Sequence, residues 1–133
     1  MKRAITSDRE PKAVGPYSQA VAFGDLLFCS GQIPLDPASG EITGADVAAQ
    51  TERVIENIKA VLAVNAMTLA DVIKTTVFLT KMDDFSAMNE VYARHFVQPF
   101  PARSTVAVVA LPRGAKVEIE VTAAKGKGNG FKA

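Results

Sequence analysis

The chain has no tryptophan, one cysteine (Cys29) and one histidine (His95) among its 133 residues, and each shortage removes a class of chemistry. A lone thiol can form no intrachain disulfide, which fits a reducing compartment. One cysteine and one histidine cannot supply a Cys/His zinc site within a chain, and no metal or cofactor is expected. Charge of one sign is lacking as well: 15 lysines and arginines stand against 14 aspartates and glutamates, a formal net charge of +1. That balance speaks against a nucleic-acid groove and against a membrane-binding patch. No apolar stretch comes near the ~20 residues that cross a bilayer. Met1 to Lys12 is charged and carries no apolar signal-peptide core. A cytoplasmic protein is the simplest expectation. Also missing are a phosphate loop, a dinucleotide-binding glycine fingerprint and a Gly-x-Ser-x-Gly elbow.

What is present is an ordinary globular composition, 48% hydrophobic and 22% charged, in a chain long enough to bury a core as one domain (1–133). Tyr17 to Phe23 and Leu26 to Ser30 flank Gly24-Asp25 and read as a β-hairpin. Residues 34–44, with two prolines and two glycines, read as a loop. From Asp46 to about Val64 the period changes. Val47, Thr51, Val54, Ile58, Val61 and Leu62 recur at helical steps. Thr68 to Asp71 resembles a small capping turn. Val72 to Thr80 predicts a strand, with Ile73, Val77 and Leu79 on one side and Lys74, Thr76 and Thr80 on the other. Asp83 reads as the N-cap of a second helix whose stripe is Phe85, Met88, Tyr92 and Phe96, ending before Pro99. Arg103 to Ala110 and Lys116 to Ala124 close the chain as strands around a turn at 111–115, and the Lys/Gly-rich end (about 125–133) reads as frayed. The order β-β-α-β-α-β-β predicts an α+β fold with both helices on one face of a single sheet. The other face then needs a cover, and a partner subunit is the expected one.

The residues able to carry chemistry are few. His95 falls near Tyr92 and Phe96 on the second helix, where packing or a helix C-terminus accounts for it better than catalysis. Cys29, between Phe28 and Ser30, reads as a small core hydrophobe. Arg103 follows Phe100-Pro101-Ala102 at the mouth of an apolar run. An unpaired guanidinium is costly to bury, so it either reaches water at a strand edge or binds an anion through its planar fork. Glu118 alternates with Lys116 and Glu120, which fits a solvated sheet face or a cross-strand pair as well as it fits a site. Ser30 could simply end a strand, and Tyr17 could be a half-buried strand aromatic.

Together they form a pattern. Gly15-Pro-Tyr-Ser-Gln-Ala20, Ser30-Gly-Gln-Ile-Pro34, Asp71-Val-Ile-Lys-Thr-Thr-Val-Phe78, Asn89-x-x-Tyr92, Pro101-Ala-Arg-Ser104 and Val117-Glu-Ile-Glu120 follow one another over nearly the whole chain. This series resembles the RidA/YjgF family of reactive imine/enamine deaminases. The resemblance implies a chorismate-mutase-like α+β fold and a homotrimer with ligand clefts between subunits. It also implies hydrolysis of the 2-imino acids released by pyridoxal-phosphate dehydratases, giving 2-oxo acids and ammonia. By the same resemblance Arg103 holds the substrate carboxylate and Glu118 orients or activates the attacking water, while Tyr17, Ser30, Gly31 and Asn89 line the cleft. Thr105 stands where many family members have a cysteine, so a role for a thiol there is lost, although its backbone carbonyl could still bind water. An imine carbon is already electrophilic, so positioning and one proton shuttle suffice, without metal or cofactor. Two other readings of the family exist: a non-catalytic, small-carboxylate-binding or chaperone-like trimer, and an endoribonuclease or translation inhibitor. The latter lacks the basic groove and the histidine or metal constellation it would want.

Overall fold

The computed structural model describes residues 1–126, so most of the Lys/Gly-rich end lies outside the described residues. The elements follow as β1 (Arg3–Ile5), β2 (Ala20–Phe23), β3 (Leu26–Gln32), α1 (Val47–Val64), β4 (Val72–Leu79), α2 (Phe85–His95), β5 (Ala102–Ala107) and β6 (Val117–Ala124). One six-stranded sheet runs β1-β2-β3-β6-β4-β5, and both helices pack on one of its faces, the α+β arrangement predicted. β6, last in sequence, enters between β3 and β4, antiparallel to both. β4 and β5 are the parallel pair, joined through α2. No helix among the described residues is long and apolar enough to cross a membrane.

The helices follow their sequence pattern. Asp46 caps α1 by accepting a hydrogen bond from the Ala49 N–H at 2.9 Å. The face of α1 carrying Val47, Val54, Ile58, Val61 and Leu62 is buried against the inner sheet residues Leu27, Val77, Leu79, Val117, Ile119 and Val121. Full burial of each such side chain stabilises by roughly 1.5–3 kcal/mol. Gln50 and Asn57 are buried on the same helix without cost because their amides find backbone partners. Gln50 donates to Gly44 O and accepts from the Lys116 N–H, and Asn57 donates to Leu35 O at 3.0 Å. Those bonds tie the 33–44 loop and the turn before β6 to the helix. On α2, Met88, Tyr92 and the following Phe96 are buried as predicted, while Phe85 is partly buried. Thr68 and Asp71 form the expected capping box.

Five expectations need correction. The sheet has one strand more than predicted: β1 is three residues long and buries only Ile5, too little to leave a periodic trace. β2 begins at Ala20, because Tyr17 closes a tight turn onto Gly15 O and Gln19 is buried as a polar clamp. On β4 the paired residues step from Val72–Ala123 to Lys74–Thr122, which makes Ile73 the extra residue of a bulge. Ile73 therefore turns outward and is half exposed, and Val72, Thr75, Val77 and Leu79 face the helices. Asp83 is not the cap of α2. A 3-10 turn at Met82–Asp84 precedes the helix, the cap position is Asp84, and no side chain bonds there. β5 also stops at Ala107, three residues short of the predicted end.

A second bulge shapes the functional region. Cys29 stands opposite Val121 and Gln32 opposite Ile119, so β3 spends three steps where β6 spends two. The irregularity falls on Ser30-Gly31. The sheet face away from the helices carries Phe28, Phe78 and Val106 beside Lys74, Thr76, Glu120 and Thr122, and these side chains are half buried or exposed.

Candidate functional site

The residues singled out from sequence fall into two groups on this one chain. The first surrounds a cavity of about 370 Å³ lined by Tyr17, Ser30, Gly31, Gln32, Glu118 and Glu10 among others. The Ser30–Gly31 bulge turns the end of β3 toward β6. Ser30 Oγ donates to Ser18 O at 2.6 Å, which leaves its lone pairs to accept. Gly31 is there because Glu118 leans over it: a Cβ at this position would lie 2.1 Å from Glu118 Oε2. Glu118 is half-buried on the face away from the helices, and burial, with Glu120 beside it, holds its carboxyl above the ordinary range. Tyr17 is half exposed at the rim.

The second group lines a cavity of about 410 Å³ formed by Asn89, Tyr92, Ala93, Phe100, Pro101 and Arg103. Arg103 Nη1 donates to Asn89 Oδ1 at 2.7 Å, and the guanidinium carbon lies 4.7 Å from the Tyr92 ring centroid and 5.5 Å from that of Phe85. Tyr92 is fixed in turn by its hydroxyl, 2.9 Å from Thr75 Oγ1, and by stacking on Phe96 at 4.2 Å between centroids. Burial raises the Tyr92 phenol above its usual range. Among the described residues Arg103 is met by an amide oxygen and two rings rather than by a carboxylate. Thr105 shares its face of β5, but lines neither cavity, and its enclosed hydroxyl has no hydrogen-bond partner.

The register separates the two groups. Arg103 pairs with Thr75, whose side chain meets Tyr92 on the helix side. Glu118 pairs with Phe78 and lies between the core residues Val117 and Ile119, so it points the opposite way. Arg103 and Glu118 of one chain thus stand on opposite faces of the sheet, with β4 between their strands.

Glu10 lay outside the sequence reading. It sits in Asp8-Arg9-Glu10-Pro11-Lys12, where nothing distinguishes it from its charged neighbours. Yet its side chain is 1% exposed, Gln32 Nε2 donates to its Oε2, and its Oε1 is enclosed with no partner. Burial pushes its carboxyl up to about 7. His95 is half-buried in the last turn of α2 with Nε2 2.6 Å from Glu52 Oε1, and Cys29 belongs to the core, as their spacing suggested. Burial and the nearby Glu10 carboxyl push the Cys29 thiol up to about 12.

A two-helix, single-sheet α+β protein with a guanidinium site and a carboxylate site on opposite faces defines the class. The endoribonuclease L-PSP family model matches residues 7–125. "Protein DfrA" of Myxococcus xanthus is 56% identical over 92% of this chain and 95% of its own length. A Homo sapiens protein named 2-iminobutanoate/2-iminopropanoate deaminase is 39% identical over 95% of this chain and 92% of its own. The crystal structure of E. coli TdcF with bound serine is 42% identical, covers 93% of this chain and 99% of its own, and superposes with a TM-score of 0.88. The chain belongs to this family, the RidA/YjgF family that its motifs resemble.

Proposed function

We propose that the protein hydrolyses reactive 2-imino (enamine) acids to 2-oxo acids and ammonia, in clefts shared between copies of the chain in a homotrimer. The observation that carries this reading is the separation of the guanidinium from the carboxylate. Among the described residues Arg103 meets no carboxylate, and Glu118 faces away from it across the sheet. Each group is half of a site that a second copy would complete. The human relative's name and the serine bound to TdcF support the substrate class, a small amino-acid-like carboxylate.

In this reading the substrate carboxylate docks on the Arg103 fork. Asn89 and the Tyr92 ring orient the planar guanidinium through one of its donors and one of its faces. The imine carbon then lies beside Glu118, which takes a proton as water oxygen bonds to that carbon; the imine nitrogen gains a proton. The resulting carbinolamine loses a proton from its hydroxyl as its nitrogen gains another. The C–N bond breaks, ammonia leaves, and a 2-oxo acid remains. A carboxyl held above its ordinary range is the better base for this shuttle so long as it stays ionised at working pH. Ser30 and Tyr17 offer hydroxyls along the same wall. Release of 2-oxo acid from a coupled serine or threonine dehydratase tests the reading. The wild type should accelerate it. Arg103→Ala should remove the acceleration, and Glu118→Gln should lower kcat far more than it weakens binding of a 2-oxo acid. A wild type no faster than buffer defeats it.

A further inference from the structure

Glu10 is the least explained group in the fold, being a fully enclosed carboxyl with one oxygen unbonded. Such a group is costly to bury unless it is hydrogen-bonded or neutralised, and an unbonded oxygen calls for an explanation. Its surroundings are built. Gln19 clamps the segment around it, accepting from the Ser7 N–H at 2.6 Å and donating to Pro11 O at 2.8 Å. The Gln32 amide reaches two ways, donating to Glu10 Oε2 and, at 3.4 Å, to Ser30 O. Ser30 and Gly31 form the bulge on which Glu118 rests, and Glu10 and Glu118 line the same cavity.

We propose that Glu10 is a positioning residue for this cleft: its protonation state, relayed through Gln32, sets the Ser30–Gly31 bulge and with it the seat of Glu118. The proposal rests on the deaminase reading for its consequence, though not for the contact chain. When Glu10 carries its proton, Gln32 is free to hold Ser30 O and the bulge is braced. When Glu10 ionises, a charge-assisted bond draws the amide to Glu10 and loosens the bulge. The new negative charge also makes Glu118 harder to ionise. The groups around it are Cys29 on β3, Glu118 on β6, and Asp8, Arg9 and Lys12 on its own segment. Cys29 stays a neutral thiol throughout, and Arg9 and Lys12 are exposed, so none supplies a buried counter-charge. Burial holds the Glu10 carboxyl up at about 7, which puts the change near neutral pH.

Two measurements test it on the full chain. In a nitrogen-correlated NMR titration, the Gly31 amide and the Gln32 side-chain amide should shift with a common midpoint near neutral pH. Glu10→Gln should abolish that titration. Gln32→Met, which keeps the carboxyl but cuts the relay, should remove it from Gly31. In the coupled assay, the ratio of wild-type to Glu10→Gln kcat/KM should fall by about threefold or more as pH rises from 6 to 8. The comparison cancels the pH dependence of the dehydratase and of free imine. A Gly31 amide that does not titrate, or that titrates unchanged in Gln32→Met, overturns the relay. A constant kcat/KM ratio overturns its effect on the cleft. A wild type inactive at every pH with the NMR coupling intact defeats the deaminase reading and upholds the relay.

Discussion

Arg103 keeps its charge in the company of an amide oxygen and two aromatic rings. Those partners orient the guanidinium without neutralising it, and that is what an anion site requires. Glu118 is prepared in the opposite sense, its charge disfavoured by burial and by Glu120. Neither placement was specific by itself, an arginine at a strand edge or a glutamate on a solvated sheet face being ordinary; both were legible only within the ordered series of motifs. Glu10 was not legible. Its burial comes from a clamp made by Gln19, nine positions away, and from Gln32, twenty-two away, and neither distance leaves a local trace. Cys29 shows the value of the plain reading. With its thiol pushed up to about 12, the folded protein at pH 8 should react with a disulfide reagent roughly a thousandfold more slowly than a free thiol does. Full reactivity should return only in denaturant. Rapid labelling of native protein, followed by absorbance of the released thiolate, would contradict the core assignment.

At the scale of elements, the helices were readable because their stripes run over three turns or more, whereas the bulges were not. A bulge is set by how many residues the partner strand spends, so Ile73 and Ser30–Gly31 could be found only once β6 was placed against both neighbours. Placing Ile73 inward was the cost of reading β4 alone. The Ser30–Gly31 bulge has a sharper consequence. A methyl group at Gly31 would meet first the Glu118 side chain, from its carboxylate back to Cγ, and no backbone among its nearest atoms, so that side chain can swing aside. Gly31→Ala should therefore leave the melting temperature within a few degrees of wild type, a change of about 1 kcal/mol or less. The same substitution should cost tenfold or more in kcat/KM, since it displaces the base rather than the fold. Calorimetry beside the coupled assay separates the two effects. Equal losses of stability and rate would mean that the bulge, and not Glu118, answers to the missing Cβ.

For the whole molecule, the succession of elements apart from β1 and the two-helix layer followed from period and punctuation, but the order of strands in the sheet and the division of the site did not. It depends on β6 entering the middle of the sheet and on β5 running parallel to β4, which together send Arg103 and Glu118 to opposite faces. The face away from the helices presents Phe28, Phe78 and Val106 partly exposed, a surface suited to burial against further copies. If the cleft draws Arg103 from one subunit and Glu118 from the next, two inactive variants should rescue one another. Arg103→Ala and Glu118→Ala, co-expressed with different affinity tags and purified through both, would form mixed assemblies. Some clefts would then pair an intact arginine from one chain with an intact glutamate from its neighbour. In a cyclic trimer every mixed assembly, two-to-one or one-to-two, has one of its three clefts intact, so activity should recover to roughly a third of wild type. Homogeneous samples of either variant should stay inactive. Light scattering on the same material would give the number of chains. Mixed assemblies as inactive as their parents would place both residues in the cleft of a single chain, which the register of β4, β5 and β6 forbids without refolding the sheet.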